Sequence, residues 1–582
     1  METDFILEDY QIDREKKELK LRICCRIPEQ MTANTIRLSA VFRGKLCDRH
    51  YPVVAGRREC TSQMAQYDAQ TVIQMEYLFF DEVPDDKETV TLQISYCNLE
   101  GQWVTSEPLL ELSGDLFQRE RERKPSFPSA LWGWCKYALC TVLLPVWLFD
   151  GWLAVKRGWE LHSAAAGRAG KGALLYHAHG LVKDWTGHGY SIREYKTNYF
   201  KRCYNRACQR IPETKGILLL SERRIEEGGN LALVRGELDK KGCRYQQFLT
   251  TKPVHRLSRK ELRSCATLIA GARLVILEDF FPQLHALTIR EDTGILQLWH
   301  ACGAFKLFGL SELGIVDHLE QSSANHRCYT AAITSSQEII PFYSEAFGIS
   351  QKRIRAAGVP RTDIFFDEEY GRTVREQLFG KYPVCKGKRV ILFAPTFRGS
   401  GNKTAYYPME QFPIDEIMGQ LSEDTVLIIK HHPFVHGHTE TEGKYRDRVL
   451  DLSEKENIND LLFITSLLIT DYSSVIFEAT LLKLPLLFYV FDLEEYLATR
   501  NFYFDFAGFA PGVIVQDRQS LPGAIIDVLD NADSCEREEK SGDTGDSFHG
   551  LQRQQAFRNL FLGALDGKST DRTMSFIEEL LR

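Results

Sequence analysis

The chain has 582 residues, of which 44% are apolar and 26% charged. This length is too great for one hydrophobic core, so it predicts about three or four domains, and the composition leaves little room for long disordered tails. The net charge of −7 argues against nucleic acid as a partner, because no overall positive field would attract it.

Residues 1–115 are predicted to form a β-rich accessory domain. Four short runs, LKLRICCRI, TIRLSAVF, VIQMEYLFF and TVTLQISYC, are separated by polar turns at a spacing typical of a sandwich. No cluster of histidines, cysteines or acids stands out among them. We therefore expect a scaffold or partner-docking role and no catalysis.

Residues 116–165 combine a charged linker, RERERKP, with a tryptophan-rich segment. Lys136 and Asp150 bracket only 13 residues, interrupted by Pro145, whereas a spanning helix needs about 20 apolar residues. Tryptophans beside cations are typical of the headgroup level of a bilayer. We predict an amphipathic membrane-interface segment, with a buried helix pair between domains as the alternative. The side chains expected at the membrane surface are Trp132, Trp134, Trp147 and Trp152.

From residue 166 onward, apolar strands alternate with helical stretches. Runs such as KGILLLSE, ARLVILEDF and GILQLWHA form one series, and RVILFAPTF, TVLIIKHHP and LLITDYSS belong to a second. Continuous apolar strands followed by helices imply parallel sheets covered on both faces. We predict an α/β fold with two doubly wound, Rossmann-like halves, residues 166–340 and 341–582, and a cleft between the carboxyl ends of their strands. The last helical stretch should pack back across the halves, and Cys535–Ser547 should be a flexible loop.

The chain carries no recognised nucleotide fingerprint. The stretch AAAGRAGKGA has Ala165 at the first glycine position of a P-loop and Gly172 at the Ser/Thr position, and it precedes a predicted strand instead of following one. The stretch GHGYS lacks the G-x-G-x-x-G pattern, so a dinucleotide cofactor is not expected.

Polar and cationic groups recur instead at the predicted strand ends, where parallel sheets bind ligands. One strand-end histidine is ordinarily structural, but five such strand ends, most with a cation, indicate a site for an anion. The groups are His300, Gly303 and Lys306 in LWHACGAFKLFG, Arg361 in GVPRTD, Thr396 and Arg398 in FAPTFRG, Lys430, His431 and His432 in IIKHHPF, and the TDYSS turn.

The TDYSS turn opens a predicted helix in LITDYSSVIFEA. Exposed N–H groups and the positive end of the helix dipole make Ser473 and Ser474 a predicted phosphate cradle. An ordinary N-cap is the alternative, although a cap needs only one such residue. Glu478, one turn inside the helix, is placed to accept hydrogen bonds from ribose hydroxyls.

Together, LWHACGAFKLFG, GVPRTD, APTFR, KHHPF, ITDYSSVIFEA and FDLEEYLATRNFYFDFAGFAPG resemble the CDP-glycerol glycerophosphotransferase family, which includes the teichoic acid primases and polymerases. The resemblance covers about Gly172 to Asp517, with the motifs in the family's order. It implies a GT-B-like fold, a CDP-glycerol or CDP-ribitol donor, a lipid-linked or glycan acceptor and a peripheral position on the cytoplasmic face of the cell membrane. We therefore expect an enzyme that moves a polyol phosphate, glycerol phosphate in preference to ribitol phosphate, to an acceptor hydroxyl and releases CMP in teichoic acid or related cell-surface polymer synthesis.

The resemblance also implies roles for individual residues. It makes His300 the catalytic base and His432 a second essential histidine near the diphosphate. Many members have Trp-His-Gly-Thr-Pro where this chain has Trp299 to Gly303, and an arginine where Lys430 stands; these changes keep the phosphate chemistry and leave glycerol and ribitol open. The substrate-binding residues expected are Ala301, Cys302, Gly303, Lys306, Arg361, Pro395, Thr396, Arg398, Lys430, His431, Asp471, Ser473, Ser474 and Glu478.

No cluster of acids stands out to hold a metal ion, so we expect a reaction without metal or cofactor. His177, His179 and His188 suggest a zinc site by their number, but no carboxylate or thiol completes it, and we predict an acceptor-side phosphate contact assisted by Arg193 and Lys196. Two rival functions remain: a nucleotide-sugar glycosyltransferase of the same architecture and a non-catalytic membrane scaffold.

The remaining sequence features bear on the cellular compartment. Fifteen cysteines are scattered without a C-x-x-C pair, which is typical of a reducing cytosol and argues against a zinc ribbon. The N-terminal stretch METDFILEDYQIDREKKELK is charged from its start and lacks the apolar core of a signal peptide. We therefore expect no export.

Overall fold

The computed structural model describes residues 4–118 and 192–582 apart from short loops. The charged linker, the four tryptophans named above and the three histidines of residues 177–188 lie outside the described residues. Within the two ranges, the positions outside the description are 15, 29–35, 47–50, 61–63, 76–77, 80–83, 98–102, 223–224, 226–227, 253–255, 314–318, 320–322, 400–403, 438, 440–443, 500–501, 505 and 542–547.

Residues 4–118 form two antiparallel sheets, which confirms the predicted β-rich domain. The strands are β1 (Asp4–Asp13), β2 (Glu18–Pro28), β3 (Ile36–Phe42), β4 (Lys45–Leu46), β5 (Tyr51–Pro52), β6 (Val54–Cys60), β7 (Met64–Gln74), β8 (Thr89–Cys97), β9 (Trp103–Thr105) and β10 (Leu110–Ser113), followed by a 3-10 helix at Gly114–Phe117. One sheet has the order β1-β2-β7-β6, and the other has β10-β8-β3-β4 with β5 and β9 beside β3 and β8.

The core of this domain is formed by alternate residues along its strands. In β2 the residues Leu19, Leu21 and Ile23 are fully or almost fully buried while the positions between them are exposed. The predicted run VIQMEYLFF is displaced, since β7 covers MAQYDAQTVIQ and ends at Gln74. Its inward residues include Ala65 and Ala69, which do not produce a visible apolar run.

The next part of the chain builds a parallel six-stranded sheet. Its elements are α1 (Ile192–Arg210), β11 (Ile217–Ser221), α2 (Asn230–Lys240), β12 (Tyr245–Leu249), α3 (Arg259–Gly271), β13 (Leu274–Leu277), β14 (Gly294–Gln297), β15 (Ala331–Ile333), α4 (Ile340–Phe347) and β16 (Ile354–Arg355). The strand order is β12-β11-β13-β14-β15-β16. Because β16 pairs with β15, this half extends beyond the predicted boundary at residue 340. A two-residue strand is too short to show a sequence pattern.

A second parallel sheet follows, with the order β19-β18-β17-β20-β21-β22. Its elements are α5 (Glu368–Lys381), β17 (Arg389–Phe393), α6 (Ile414–Gln420), β18 (Thr425–Ile429), β19 (Val449–Asp451), α7 (Ile458–Leu462), β20 (Leu467–Thr470), α8 (Val475–Leu481), β21 (Leu486–Tyr489), α9 (Leu493–Thr499), α10 (Phe506–Phe509) and β22 (Val513–Val515). Core clusters cover both faces of each sheet, so the predicted doubly wound, GT-B-like architecture is confirmed.

Three helices end the chain: α11 (Leu521–Ser541), α12 (Phe548–Leu562) and α13 (Ser569–Leu581). The prediction of a flexible loop at Cys535–Ser547 is wrong for its first part, because α11 continues to Ser541 through glutamates, an arginine and a lysine, all of which favour helix. The expected return of the last helix is confirmed. Met574 and Ile577 of α13 pack into the core of the first parallel sheet.

The β-rich domain is docked to the first parallel sheet by a buried ion pair. Arg37 of β3 donates from Nε to the carboxylate of Glu345 in α4, and both side chains are almost fully buried. Buried charges need such a partner, so this contact ties the β-rich domain to α4.

Candidate active site

Strand ends from the two parallel sheets meet through one guanidinium. Arg361 lies in the 3-10 helix Pro360–Phe366 that follows the first sheet. Its Nε donates to the carbonyl oxygen of His300 at 3.1 Å, and its Nη2 donates to the carboxylate of Glu478 in α8. Two hydrogen bonds therefore link the loop after β14 to the helix that begins at the TDYSS turn.

The His300 ring is oriented by a carboxylate. Asp279, which follows β13, places Oδ1 3.1 Å from Nδ1 of His300. The His300 side chain is 55% exposed and the Asp279 side chain 11% exposed. A carboxylate on Nδ1 favours the tautomer with the proton there, which leaves Nε2 able to accept a proton. Sequence reasoning missed Asp279, and the available signal was the pair of acids that follows the apolar strand in LVILED.

The backbone before His300 is held in an unusual conformation. Trp299 has a φ of 54°, in the left-handed region that side chains other than glycine rarely adopt. Its N–H donates to Gln297 Oε1 at 2.9 Å, and its carbonyl accepts from Asn230 Nδ2 at 2.6 Å. Asn230 Oδ1 also accepts the backbone N–H of Arg361 at 2.8 Å. Asn230 thus fixes the histidine loop and the arginine together; sequence reasoning missed it because an asparagine at a helix start looks like an ordinary cap.

The segment after His300 makes the contact between the halves. The hydroxyl of Tyr343 lies 3.2 Å from the carbonyl oxygen of Ala301 and 3.0 Å from that of Gly303. Gly303 has a φ of 65°, and a Cβ added there would lie 2.2 Å from Cε1 of Phe477 in α8. Glycine therefore permits the close approach of α8 to this loop.

Cys302 and Lys306 lie on either side of this contact. Cys302 is buried, and its Sγ lies 3.7 Å from Nη2 of Arg361. Burial raises the pKa of the Cys302 thiol, so the thiol stays neutral at physiological pH. The ammonium of Lys306 lies 5.3 Å from the ring centroid of Tyr496 in the other half.

The Arg361–Glu478 pair is largely removed from water. The side chain of Glu478 is 4% exposed. Burial works against the charged guanidinium, but the negative charge of Glu478 outweighs it and the pKa of Arg361 lies above its usual range. The predicted contact of Glu478 with ribose stays a prediction; in this structure its carboxylate accepts from Arg361.

Arg398 and Asp471 neutralise each other within the second half. Arg398 donates from Nη1 to Asp471 at 3.0 Å, and from Nε and Nη2 to Asp492 at 2.6 and 2.9 Å. Asp471 Oδ1 also accepts the backbone N–H of Thr396 at 2.7 Å. These bonds tie the loop after β17 to the TDYSS turn, which is a supporting role. Substrate contact by Arg398 and Asp471 stays a prediction. Four aromatic rings lie within 5.6 Å of the Arg398 guanidinium: Tyr407, Tyr472, Phe491 and Tyr496.

Two buried polar atoms at neighbouring strand ends have no hydrogen-bond partner among the described residues. They are Oγ1 of Thr396, after Pro395 at the end of β17, and Nδ1 of His431, after β18. Burial lowers the pKa of His431, so its ring is neutral at physiological pH. Its Nε2 lies 2.8 Å from Thr439 Oγ1. Because an unsatisfied buried polar atom is costly, both atoms suit a ligand that enters at these strand ends.

The other predicted donor contacts lie on the same edge of the second sheet. The ammonium of Lys430 donates to the carbonyl of Ser453, and burial lowers its pKa. His432 accepts the N–H of Phe434 at Nδ1, 3.1 Å away, and its ring packs against Phe397 at 4.7 Å between centroids.

The two serines of the turn are not used as a standard cap. Ser474 occupies the N-cap position of α8 without a side-chain bond to the helix, and it is exposed. Ser473 Oγ accepts from the N–H of Val475 only at 3.4 Å. The Ser474 hydroxyl is therefore not engaged in capping the helix.

The described residues show neither a metal group in this site nor a membrane span. The group of three potential metal ligands found among them, Glu8, Cys24 and Asp68, lies in the β-rich domain. In the part of the chain that the structure describes, every helix is too short or too polar to cross a bilayer. The absence of a metal or cofactor requirement stays a prediction.

The fold and these strand ends define an α/β protein of the GT-B-like class. The sequence model of the family described as CDP-glycerol:poly(glycerophosphate) glycerophosphotransferase matches residues 243–579, more than half of the chain. The chain belongs to that family, as its motifs predicted.

Individual relatives agree with this assignment. The chain is 36% identical over 389 residues to a teichoic acid poly(ribitol-phosphate) polymerase of Bacillus spizizenii, covering 66% of this chain and 60% of the relative. It is 38% identical over 368 residues to the teichoic acid ribitol-phosphate polymerase TarK of Staphylococcus aureus, covering 62% and 70%. A teichoic acid glycerol-phosphate primase of Bacillus subtilis is 30% identical over 44% of this chain and 66% of its own length. The match to the Bacillus spizizenii polymerase thus spans less than two thirds of that protein.

A solved structure supports the fold. The wall teichoic acid polymerase TagF superposes with a TM-score of 0.52 at 18% identity, covering 66% of this chain and 94% of that one.

Proposed function

We propose that the protein transfers a polyol phosphate, glycerol phosphate in the first instance, from a CDP-polyol to a hydroxyl of a teichoic acid-type acceptor and releases CMP. The observation that carries this proposal is the Arg361 bridge from His300 to Glu478. It links the His300 loop of one half to helix α8 of the other half, and the unsatisfied Thr396 and His431 atoms of that second half suit a bound donor. Membership of the glycerophosphotransferase family supports the same chemistry.

In the proposed reaction, the acceptor oxygen attacks the phosphorus that bears the polyol. A new oxygen–phosphorus bond forms, the bond from that phosphorus to the bridging oxygen breaks, and CMP leaves with the electron pair. The acceptor proton passes to Nε2 of His300, whose Nδ1 faces Asp279. A positioned base of this kind contributes about 10²–10⁴-fold to rate.

Charge on the departing phosphate needs donors that are already in place. Arg361 and Lys430 supply cations at the strand ends, and Ser473 and Ser474 supply hydroxyls at the start of α8. We assign His432, on the loop after β18, to the diphosphate. This assignment follows the family motif and its place beside His431 at the end of that strand.

CDP-ribitol is the second candidate donor, because ribitol-phosphate polymerases are among the relatives. The ribitol-phosphate polymerases named above are 36% and 38% identical to this chain, against 30% for the glycerol-phosphate primase. Supplying the purified protein and acceptor membranes with each CDP-polyol, and with UDP-sugars, discriminates the alternatives. Release of CMP with phosphodiester product supports the proposal, whereas release of UDP alone favours a glycosyltransferase. The reaction should persist in EDTA, and His300→Ala should slow it by about 10²–10⁴-fold; full synthesis by that variant would support a non-catalytic scaffold.

We further propose a peripheral position on the cytoplasmic membrane face through the tryptophan-rich segment. The pattern of tryptophans beside cations supports it. Deleting residues 130–159 should reduce binding to vesicles that contain anionic lipid. Unchanged vesicle binding and activity would leave this segment a purely structural role.

A further inference from the structure

Helices α1 and α3 lie side by side and run parallel. Arg259 donates to the hydroxyl of Tyr195 at 2.7 Å, and one turn further along both helices Arg263 donates to the hydroxyl of Tyr199 at 3.1 Å. The helix α3 leads directly into β13, so it runs opposite to the strand and its first turn lies at the carboxyl edge of the sheet. The tyrosine–arginine pairs therefore lie on the edge that also carries Asp279 and His300.

This pair of helices is strongly positive in a chain whose net charge is −7. The helix α1 carries six lysines and arginines against one glutamate, and α3 carries three against one. Arg202 and Arg206 continue the line of Tyr195 and Tyr199 at helical spacing. Burial, and after it the neighbouring charge of Arg206, lower the pKa of Arg202.

The two arginines of α3 that pair with tyrosines, Arg259 and Arg263, have further N–H groups that could donate to a ligand. Among the described residues, neither Arg259 nor Arg263 forms an ion pair with a carboxylate; Arg259 donates to the Tyr195 hydroxyl, and Arg263 contacts the Tyr199 hydroxyl and the Cys203 thiol. The acid of the same helix, Glu261, is occupied by the N–H of Ser258 and the ammonium of Lys252. The tyrosines hold the guanidinium groups in place, and both arginines are exposed to solvent.

We propose that this surface, the α1–α3 face, binds the polyanionic phosphodiester chain of the acceptor as it grows. The inference rests on the proposed function. An acceptor hydroxyl that reaches His300 brings the rest of its chain over the half that carries His300, and a polyol-phosphate chain has one negative charge per repeat. Arginine recognises phosphate through paired N–H groups. Arg259 and Arg263 are one turn apart, about 6 Å, so a flexible chain can offer each its own phosphate.

The α1–α3 face fits a soluble polyanion better than a bilayer. Surfaces that enter a bilayer carry exposed apolar side chains beside their cations. The large apolar side chains that are exposed in the described part of the chain include none from α1 or α3. A positively charged face without large exposed apolar side chains suits a phosphodiester chain.

The test uses the full chain with Arg259→Gln/Arg263→Gln, and Lys386→Gln/Arg446→Gln as a control with the same change of charge on the other half. Binding of purified poly(ribitol phosphate) and poly(glycerol phosphate) is measured at low salt without donor, beside binding to phosphatidylglycerol vesicles. Loss of two exposed charge contacts should weaken polymer binding about 10-fold. The control variant should bind the polymers within about twofold of the wild-type affinity. Added salt should reduce the difference in polymer binding between the wild-type protein and the Arg259→Gln/Arg263→Gln variant.

A second variant keeps the charges. Tyr195→Phe/Tyr199→Phe removes the hydroxyls that hold the guanidinium groups, and we expect a smaller loss of polymer binding in the same direction. In turnover assays, the Arg259→Gln/Arg263→Gln variant should raise the KM for long acceptors. That increase should be about 10-fold larger than the increase in the KM for a one-unit acceptor, because only the long acceptor loses the two charge contacts.

Unchanged polymer binding in the glutamine variant would overturn the inference, as would a loss confined to vesicle binding, which would assign the face to the membrane. The proposed function fails separately, if the wild-type protein releases no CMP from any CDP-polyol.

Discussion

Replacing Asp279 by asparagine tests the proposed base without removing it. The carboxylate lies 3.1 Å from Nδ1 of His300 and holds the proton on that nitrogen. An asparagine amide is nearly the same size but can donate to Nδ1 through its NH₂ group. That bond favours the other tautomer, in which Nε2 carries the proton and cannot accept one from the acceptor hydroxyl.

The expected loss follows from the exposure of the ring. A general base contributes about 10²–10⁴-fold, which is the most that a wrong tautomer can remove. The side chain of His300 is 55% exposed, so water can return the ring to the productive tautomer at modest cost. The loss should therefore lie near the lower end, about 10²-fold in kcat, which corresponds to about 2.7 kcal/mol of transition-state stabilisation.

The assay is CMP release under saturating donor and acceptor, with the KM for the CDP-polyol measured in parallel. That KM should stay within about twofold, because Asp279 acts through His300 and not on the donor. Asp292→Asn serves as the matched control, since Asp292 pairs with Arg290 away from the site. The double variant Asp279→Asn/His300→Ala should be no slower than His300→Ala alone, because residues that act as a unit are not additive.

Two results would refute the reasoning. One is wild-type kcat in Asp279→Asn. The other is a double variant slower than His300→Ala by the full Asp279 effect, which would show that Asp279 acts independently of the ring.

Three further predictions concern stability and docking. Gly303→Ala should cost about 1–3 kcal/mol in urea unfolding and lower CMP release, because its Cβ would overlap an aromatic ring of α8; Gly242→Ala, with a φ of 64° but nothing within 4 Å, should cost less. Arg37→Met should cost about 3–5 kcal/mol, since it leaves the partner carboxylate buried and unpaired, and limited proteolysis should then cut the β-rich domain faster; no change would mean that this pair does not dock the domain. Burial lowers the pKa of His285 to about 3 and that of His326 to about 4, so the folded protein keeps both neutral while the unfolded chain takes up protons. Stability should be full above the unfolded pKa of about 6.5 and fall as pH drops below it, and His326→Asn should flatten that dependence in thermal melts from pH 7.5 to 4.5.

The sequence was sufficient for elements that are buried on both faces. Strands such as β11, β13, β17 and β20 contribute four or five consecutive buried residues to a parallel sheet, and continuous burial appears in the sequence as a continuous apolar run. The strands β16 and β19 escaped notice because two or three residues form no pattern. The short length of β16 is also the reason why the sequence predicted the boundary between the halves at residue 340, before β16.

Some residues of the candidate site could likewise be predicted from the sequence, and others could not. His300, Arg361 and Glu478 could be nominated from the sequence alone, because polar groups at the ends of apolar strands stand out and carry the family's motifs. Their partners could not. Asp279 and Asn230 come from other strand and helix ends, and a hydrogen bond across the fold leaves no trace in local spacing.

Charge pairing was likewise decided by the tertiary structure. The sequence by itself determined which residue types stand at each strand end, since local burial and turn chemistry dictate them. Only the folded chain decided that Arg398 is neutralised by two aspartates while Arg361 bridges the halves. Which charged groups pair depends on their distance and on their removal from water in the folded protein, and neither quantity can be read from the sequence.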